Sequence, residues 1–322
     1  MHATGLVIGK FYPPHRGHKY LIDTAMKNAS QVIVLVCDNP AQAIPAALRA
    51  EWIRKIHPGA DVRVIPDAVA DDDSEGWANY VRATIGFAPD AVFTSEDYGD
   101  PFARFLGCAH VCVDKKRATV PISGTAVRQD PLANLDYLEP CVRDYFLPRV
   151  CVLGAESTGT TTLSRALAEH YRTAWVPEYG RTYCEGKFSS SKSADWNTGE
   201  FVHIARTQCA MEDALAATAD RLLVCDTNAF ATGLWHERYL ETRSAEVEAV
   251  HSGRRYALYI LTGDEIPFVQ DGIRDGEHIR HAMQRRFVER LDEEGFPYVV
   301  VTGSPEERLA TAIAEIERRI PS

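Results

Sequence analysis

The sequence predicts an α/β protein with two consecutive domains, each built on a doubly wound parallel sheet. Short runs of β-branched residues alternate with segments of helical periodicity, which is the pattern of strands connected by helices. This alternation occurs twice in 322 residues, a length that exceeds what one hydrophobic core usually organises. Because Pro148 directly precedes the second set of strands, we place the domains at residues 1–147 and 148–322.

The predicted strands indicate where ligands should bind. Those of the first domain cover residues 5–9, 32–36, 62–65, 91–94 and 111–113. Those of the second cover residues 149–154, 222–225, 257–261 and 298–301. Helical periodicity is clearest over residues 17–28 and 46–57. Because ligands of doubly wound sheets bind beyond the carboxyl ends of the strands, we expect the functional residues in the loops that follow them.

Composition and charge exclude several classes of protein. Apolar residues make up 45% and charged residues 25% of the chain, so composition gives no support to disorder, collagen or coiled coil. The net charge of -10 repels nucleic acid, and we expect no nucleic-acid partner. No apolar run is long enough to cross a bilayer and no signal-peptide pattern is visible, so we expect a cytoplasmic protein without a membrane partner.

The first candidate site is a turn between the first predicted strand and the helix that follows it. The turn reads Gly9-Lys10-Phe11-Tyr12-Pro13-Pro14-His15-Arg16-Gly17-His18. Two histidines flank a glycine at a helix start, so both imidazoles are able to face phosphates held at the positive end of that helix. Taken alone, the pair also fits two ordinary surface histidines in a turn.

A second segment favours the phosphate site. It reads Ile122-Ser123-Gly124-Thr125-Ala126-Val127-Arg128. Here Ser123 is suited to cap a helix, Thr125 to donate to a phosphate oxygen, and Arg128 to form a charge-assisted pair.

Together these segments resemble the nucleotidyltransferase superfamily, whose signatures are Gly-x-Phe-x-Pro-x-His-x-Gly-His and Ile-Ser-x-Thr-x-x-Arg. The resemblance implies a Rossmann-like domain that joins a phosphomonoester to the α-phosphate of a nucleoside triphosphate, with Mg²⁺ and without a covalent intermediate. Positioning and charge stabilisation then supply catalysis. The implied catalytic residues are His15, His18, Lys10 and Arg128, with His18 nearest the reacting phosphorus. The implied ATP contacts are Gly9, Phe11, Ser123 and Thr125.

Residues after other predicted elements complete this pocket. Tyr98, Asp114 and Arg117 follow two later strands and are expected to bind substrate. Trp77 and Asn79 place an aromatic ring near an amide, a pair that suits a nicotinamide ring. Trp77 and Tyr80, at helical spacing, fit packing residues equally well.

The second candidate site has the spacing of a phosphate-binding P-loop. It reads Gly154-Ala155-Glu156-Ser157-Thr158-Gly159-Thr160-Thr161-Thr162 after the first strand of the second domain. In this motif backbone N–H groups surround phosphates and a hydroxyl residue, here Thr161, binds Mg²⁺. Thr160 occupies the position of the usual lysine, which spans the β- and γ-phosphates. An ordinary glycine-bounded turn is the alternative.

Other parts typical of a kinase follow the P-loop. Asp226 ends an apolar strand and offers a carboxylate to Mg²⁺, to the acceptor hydroxyl or to the acceptor ribose. Glu178 and Arg181 lie beyond another predicted strand, with Tyr179 between them. The Gly-flanked segment 270–276 is suited to close as a lid that delivers Arg274 to the phosphates.

The two halves together resemble the bifunctional NadR family, in which a nicotinamide mononucleotide (NMN) adenylyltransferase precedes a ribosylnicotinamide kinase. The resemblance covers residues 6–320. It implies ATP, NMN, nicotinamide riboside and NAD as ligands, and Mg²⁺ at Thr161 and Asp226. The implied catalytic residues of the second half are Asp226, Glu178 and Arg274. Its implied ATP contacts are Gly154, Glu156, Ser157, Thr158, Gly159, Thr160, Thr161 and Thr162, and its implied substrate contacts are Tyr179, Arg181 and Asn228.

Members of that family sometimes carry an additional amino-terminal helix-turn-helix. Only four residues precede the first predicted strand, so we expect no such module.

Two departures from the kinase pattern leave alternatives open. The first is Thr160, although Arg274, Arg280 or Arg181 would supply the missing charge from another direction. The second is Asn228, which stands where another acid is expected. The second domain therefore either phosphorylates with a rebuilt phosphate site or binds nucleotide without turnover, as in a nucleotide-sensing regulator.

Several further properties stay open at the level of sequence. A different phosphorylated acceptor, such as a pantetheine phosphate, is the alternative for the first domain. The sequence does not decide between nicotinamide and nicotinic acid substrates, and a homo-oligomer is compatible with it.

Overall fold

Two compact units make up the structure, a computed structural model that describes residues 1–190, 195–272 and 274–320. The units are Met1–Phe146 and Leu147–Ser322. Each contains one five-stranded sheet whose strand pairs are all parallel, with helices between successive strands. The predicted fold class is thereby confirmed.

The first unit has the strand order β3-β2-β1-β4-β5. Its elements are β1 (His2–Gly9), α1 (Arg16–Asn28), β2 (Ala29–Asp38), α2 (Ala46–Ile56), β3 (Asp61–Pro66), α3 (Ser74–Ile85), β4 (Ala91–Thr94), α4 (Gly99–Leu106), β5 (Ala109–Cys112), α5 (Gly124–Gln129), a 3-10 turn (Leu135–Tyr137) and α6 (Pro140–Phe146). The chain changes direction across the sheet between β3 and β4, which creates a switch point between the carboxyl ends of β1 and β4.

The central strands of this sheet are apolar on both faces because helices cover both. Val7 and Val34 pack on one face with Ile22 of α1. Leu6 packs on the other face with Phe102 of α4. This continuous burial explains why β1 and β2 read as unbroken apolar runs in the sequence.

The second unit has the strand order β10-β9-β6-β8-β7. Its elements are β6 (Arg149–Leu153), α7 (Thr160–Tyr171), β7 (Trp175–Val176), α8 (Tyr179–Ser190), α9 (Thr198–Ala216), β8 (Leu223–Asp226), α10 (Ala229–Leu240), α11 (Ala245–His251), β9 (Leu258–Thr262), a 3-10 turn (Glu277–Ile279), α12 (Arg280–Glu293), β10 (Tyr298–Val301) and α13 (Pro305–Arg319). The P-loop sequence therefore follows the central strand, β6.

A helix that crosses a bilayer needs about 20 predominantly apolar residues. None of the helices in the described part of the chain is both long and apolar enough to span one.

Candidate active sites

A cavity of about 820 Å³ opens at the carboxyl ends of β1 and β4 in the first unit. Small-molecule sites commonly measure about 300–1,000 Å³. Among its lining residues are Gly9, Lys10, Phe11, His15, His18, Trp77, Tyr98, Asp114, Arg117, Ser123, Thr125 and Arg128. Asn79 is not brought to the cavity, because it lies exposed on α3 and accepts a hydrogen bond from Arg82 at 3.2 Å.

His15 and His18 form a stacked pair at the start of α1. Their ring centroids lie 3.8 Å apart with an interplanar angle of 24°. Nδ1 of His15 accepts the backbone N–H groups of Gly17 at 3.1 Å and His18 at 3.4 Å. In return, Nδ1 of His18 accepts the backbone N–H of His15 at 3.3 Å. The two side chains thus cap the helix reciprocally, as in a capping box.

The capping bonds determine which ring nitrogen carries the proton. Because Nδ1 of each ring accepts a hydrogen bond, the neutral form of each imidazole has its proton on Nε2. Burial, together with the positive charge of Arg117, lowers the pKa of His15 to about 4. Burial also holds the pKa of His18 well below its ordinary value. At neutral pH both rings are therefore uncharged and present Nε2–H donors.

Arg128 connects the two sequence segments that were predicted to meet. Its guanidinium donates to the carbonyl of Tyr12 and, at 3.1 Å, to the hydroxyl of Thr125. It also lies 4.9 Å from the centre of the Tyr12 ring. A Cβ atom on Gly124 would stand 2.9 Å from the Tyr12 carbonyl, so this close approach of the two segments requires glycine.

Lys10 is oriented by two carboxylates that sequence analysis did not assign to the site. Its Nζ lies 3.0 Å from Asp71 and 3.6 Å from Asp67. Partial burial lowers the pKa of Lys10, but the hydrogen bond to Asp71 and the charge of Asp67 outweigh that effect and raise it. The raised pKa keeps Lys10 charged at neutral pH. Lys10, Asp67 and Asp71 all line the cavity.

Arg49 was also missed by sequence analysis, because it lies inside an ordinary helical pattern. It is fully buried and donates to the main-chain carbonyls of Lys10, of Cys37 at 3.2 Å and of Ile44 at 3.0 Å. Arg49 therefore fixes the turn after β1 to the carboxyl end of β2.

Asp114 lines the cavity, and its carboxylate also stabilises its own loop. Its carboxylate accepts the backbone N–H groups of Ala118 at 2.8 Å, Thr119 at 3.1 Å and Val120 at 3.0 Å. These bonds, first that from Thr119, hold the pKa of Asp114 below its usual value. The loop in turn carries Arg117, which pairs with Glu96 at 3.1 Å.

Tyr98 and Trp77 line the cavity, but the polar group of each side chain already donates a hydrogen bond to the protein backbone. The hydroxyl of Tyr98 donates to the Ile8 carbonyl at 3.3 Å. The indole N–H of Trp77 donates to the Ala70 carbonyl at 3.0 Å, and its ring packs against Tyr80 with centroids 5.9 Å apart. Both residues therefore offer a ligand their ring surfaces rather than hydrogen bonds.

A second cavity, of about 150 Å³, lies at the corresponding edge of the second sheet. The predicted residues that line it are Gly154, Glu156, Ser157, Thr160, Thr161, Glu178, Arg181 and Arg274. The predicted residues outside its lining are Thr158, Gly159, Thr162, Tyr179, Asp226 and Asn228. This volume is below that of most small-molecule sites.

The P-loop has the backbone geometry of an anion cradle. Ser157 and Gly159 adopt positive φ angles of 59° and 87°. Within the described residues, the backbone N–H groups of residues 157–159 donate to no protein acceptor. Those of residues 160–162 belong to the first turn of α7, where intrahelical acceptors do not exist. These N–H groups are therefore available to phosphate oxygens.

Buried side chains from distant elements hold this loop in place. Thr158 donates to the Ala155 carbonyl at 2.7 Å and accepts from Thr262 at 2.7 Å, so its hydroxyl is used within the protein rather than by a ligand. Arg308 of α13 donates to the Thr158 carbonyl at 2.6 Å, and Arg280 donates to the Ser157 carbonyl at 2.9 Å. Sequence analysis did not identify Arg308, because 150 residues separate it from Thr158.

The arginines near the P-loop divide into two kinds. Arg280 is buried and bonded to loop carbonyls, so it supports the loop from outside the cavity. Arg274 and Arg181 line the cavity instead. Arg274 lies 3.4 Å from the Ser157 hydroxyl, and Arg181 pairs with Asp271 at 2.8 Å. Ile273, inside the predicted lid, lies outside the described residues.

The charge of Asp226, at the end of β8, acts on a second acid, Glu178. The hydroxyl of Thr161 donates to Oδ2 of Asp226 at 2.6 Å, whereas the buried Oδ1 of Asp226 accepts no hydrogen bond from the residues that the structure describes. Burial raises the pKa of Asp226 to about 6. Burial and then the charge of Asp226 raise the pKa of Glu178 to about 7. Glu178 thus supplies the second acid that the sequence lacked at position 228.

Asn228 and Tyr179 were predicted to contact substrate, but they lie outside the cavity lining and hydrogen-bond within the protein. Oδ1 of Asn228 caps α10 by accepting the Ala231 N–H at 3.1 Å, and its Nδ2 donates to the Tyr259 hydroxyl at 3.2 Å. Asn228 is fully buried, so the asparagine satisfies a helix start where an acid would not donate. The hydroxyl of Tyr179 lies 3.1 Å from Nε2 of His203, away from the cavity.

An aromatic wall completes the second cavity, and sequence analysis missed it. The wall consists of Trp196, Phe201, Trp235 and Tyr239. The centroid of Trp196 lies 5.0 Å from that of Phe201 and 5.3 Å from that of Tyr239. Gln208 of α9 lines the same cavity and is almost completely buried.

Comparisons with known proteins agree with this division of the chain. Residues 6–130 match the cytidylyltransferase-like family, and residues 149–308 match an AAA domain family. The trifunctional NAD biosynthesis/regulator protein NadR of Escherichia coli K12 is 28% identical over 92% of this chain and 78% of its own length. The protein of the same name from Salmonella typhimurium LT2 gives the same identity and the same two coverages.

Solved structures resemble the whole fold. A crystal structure of a NadR protein in complex with NR has a TM-score of 0.77 at 20% identity, covering 99% of this chain and 96% of that one. A NadR protein in complex with NAD and AMP-PNP has a TM-score of 0.75 at 20% identity, covering 100% and 97% of the two chains. These likenesses establish the fold of both halves.

Proposed function

This chain is a homologue of the NadR proteins, and on that premise we propose that it makes NAD in two ATP-dependent steps. The first domain transfers AMP from ATP to NMN, giving NAD and pyrophosphate. The second domain phosphorylates nicotinamide riboside to NMN, which supplies the first. The observation that carries the adenylyl transfer is the meeting of His15, His18 and Arg128 on the wall of one cavity.

Positioning and hydrogen bonding account for the first reaction. A phosphate oxygen of NMN attacks the α-phosphorus of ATP, and the bond from that phosphorus to the bridging oxygen of pyrophosphate breaks. The Nε2–H donors of His15 and His18 stabilise the charge that develops on the phosphate oxygens, since both rings are neutral and held rigidly by their capping bonds. Lys10 and Arg128 supply positive charge around the triphosphate.

Glu178 is the proposed base of the second reaction. The 5′-hydroxyl of the riboside gives its proton to Glu178 and attacks the γ-phosphorus, and ADP leaves. Support comes from the position of Glu178 in the cavity and from its pKa of about 7, which suits proton transfer near neutral pH. The N–H cradle of residues 157–159 is the proposed binding site for the ATP phosphates.

The oxygen atoms near the P-loop fit Mg²⁺. The ion prefers hard oxygen ligands and typically takes one or two carboxylates together with substrate phosphates. Asp226 offers a buried carboxylate oxygen without a hydrogen-bond partner, and Thr161 a hydroxyl 2.6 Å from the other oxygen. In the described residues no group of three His, Cys, Asp or Glu side chains is placed to hold a metal ion. When bound, Mg²⁺ would neutralise charge on the phosphates.

A product assay tests this proposal. The protein is incubated with ATP and Mg²⁺ plus either NMN or nicotinamide riboside, and the products are separated by chromatography. We expect NAD and pyrophosphate from NMN, and NMN with ADP from the riboside. Absence of NAD, or pyrophosphate release with pantetheine phosphate instead, would contradict the assignment of the first domain.

Nucleotide binding without turnover is a second candidate for the second domain. Thr160 favours it, because the P-loop then lacks the ammonium that spans the β- and γ-phosphates. Calorimetric binding of ATP with no ADP or NMN in the riboside assay would support this candidate.

A further inference from the structure

Gln208 has one half of its amide unsatisfied inside the second cavity. The side chain is 1% exposed, and its Oε1 accepts the backbone N–H of Tyr179 at 2.9 Å. Its Nε2 has no hydrogen-bond partner within the described residues. Because a backbone N–H requires an acceptor, the amide cannot rotate by 180° without losing that bond. The group left over is therefore a buried NH₂ donor.

A buried donor without an acceptor destabilises the folded protein, so we expect a ligand to supply the acceptor for the Gln208 amide. Leaving such a group unpaired costs about 1–3 kcal/mol, as estimated from protein variants. Gln208 lines the cavity together with Phe201 and Ile204, which lie on the same face of α9. A ligand in the cavity is thus the available source of the missing acceptor, and the ligand atom must be an oxygen or nitrogen with a lone pair.

The surroundings of Gln208 favour a flat, positively charged ring. Trp196, Phe201 and Tyr239 line the cavity with aromatic rings, against which a flat ring packs well. Lys187 already lies 4.2 Å from the centre of the Trp196 ring and Arg238 lies 4.3 Å from that of Tyr239, so these rings are in an environment that binds cations. Glu156 and Glu178 add carboxyl groups to the same lining. Nicotinamide riboside carries a pyridinium ring with one carboxamide, whose oxygen is the strong acceptor attached to that ring.

We propose that Gln208 is a specificity-determining residue that donates from Nε2 to the carboxamide oxygen of nicotinamide riboside. The proposal rests on the function proposed for the second domain. It adds the residue that recognises the carboxamide by a hydrogen bond. The main competing acceptor is a ribose hydroxyl, which would be contacted whether or not the ring carries a carboxamide. The two assignments therefore differ in what happens when the carboxamide is removed.

A cycle of two proteins and two substrates separates these assignments. The wild type and Gln208→Met are each assayed for phosphorylation of nicotinamide riboside and of pyridinium riboside, which lacks the carboxamide. With nicotinamide riboside, we expect the variant to lose about 10-fold to 100-fold in kcat/KM, the effect of leaving one buried acceptor unpaired. With pyridinium riboside, we expect the two proteins to differ by less than about 3-fold.

The cycle has a built-in control for damage to the fold. Methionine removes the acceptor of the Tyr179 N–H as well, but general damage would lower the rates of both substrates alike. If Gln208→Met does not fold, Gln208→Glu replaces it at a pH above the pKa that burial raises for such a carboxyl group, because only the ionised carboxylate keeps that acceptor and cannot donate. Equal losses with both substrates would overturn the assignment of Gln208 while leaving the kinase proposal intact. If the wild type neither binds nor phosphorylates nicotinamide riboside, both the assignment of Gln208 and the kinase proposal are wrong.

Discussion

The proposed phosphate sites of the two domains are built by different means, although each lies at the carboxyl edge of its own parallel sheet. The first domain offers side chains, namely two imidazoles, Lys10 and Arg128. The second offers mainly backbone, with the free N–H groups of residues 157–159 and a threonine in place of lysine. The backbone N–H groups and the cations of a phosphate site are therefore separable parts. Loop geometry determines the N–H groups, whereas the cations come from side chains on other parts of the fold.

Burial acts on both sites, but with opposite consequences for charge. It lowers the pKa of His15 to about 4, which keeps the ring neutral across the physiological range. It raises the pKa of Asp226 to about 6 and that of Glu178 to about 7, which brings these acids into that range. The first site is therefore insensitive to mild acid through these groups, whereas the second is not.

The largest expected effect comes from reciprocal substitutions that separate the domains. His18→Ala should lower NAD formation from NMN by about 10²- to 10³-fold, the effect of removing one preorganised donor, and should leave riboside phosphorylation unchanged. Asp226→Ala should do the reverse. Each variant is the control for the other, and both activities are measured on the same preparation. Equal loss of both activities in either folded variant would show that the sites are not independent.

Two further substitutions at position 18 test which ring nitrogen matters. The amide of asparagine reaches the place of Nδ1 and keeps the cap on the His15 N–H, whereas that of glutamine reaches the place of Nε2. We expect His18→Asn to be as inactive as His18→Ala, and His18→Gln to retain partial activity. The opposite order would assign the function of His18 to helix capping.

The second prediction, of intermediate size, compares the pH profiles of the two activities. A carboxylate accepts a proton only above its pKa, so phosphorylation should fall as pH decreases through about 7, approaching tenfold per unit. NAD formation should show no such fall from His15, which stays neutral down to a pKa of about 4. Initial rates of both reactions in one buffer series check this. Glu178→Gln should remove the fall near pH 7 and leave only the fall near pH 6 that Asp226 produces. A fall near pH 7 that persists in that variant would belong to another group.

Local patterns in the sequence predicted the framework of both sites. The alternation of apolar runs and helical segments gave both sheets, since parallel strands buried on two faces read as continuous apolar runs. The turn at residues 9–18 and the segment at 122–128 identified the first cavity, because each motif is contiguous in the chain. What these patterns specify is local backbone shape and the residues attached to it.

Contacts between distant residues lay beyond sequence analysis. Asp114 and Asn228 carry side chains suited to substrates, yet their oxygens bind backbone N–H groups of their own loop or helix. Arg308 supports the P-loop from the last helix, and Gln208 reaches the cavity from the middle of a long one. Neither stands in a motif, because the partners of each are set by how helices pack on the sheet rather than by spacing along the chain.

The smallest expected effect tests whether arginines have replaced the missing lysine. Arg274 and Arg181 line the cavity, and Arg274 lies 3.4 Å from the Ser157 hydroxyl of the P-loop. If they supply the charge, Thr160→Lys should change kcat for riboside phosphorylation by less than about 10-fold, because an added cation then duplicates an existing one. Arg274→Ala alone should lower kcat, and Thr160→Lys should partly restore the activity of that variant. A wild type without kinase activity that Thr160→Lys makes active would instead identify the second domain as a phosphate cradle that has lost its cation.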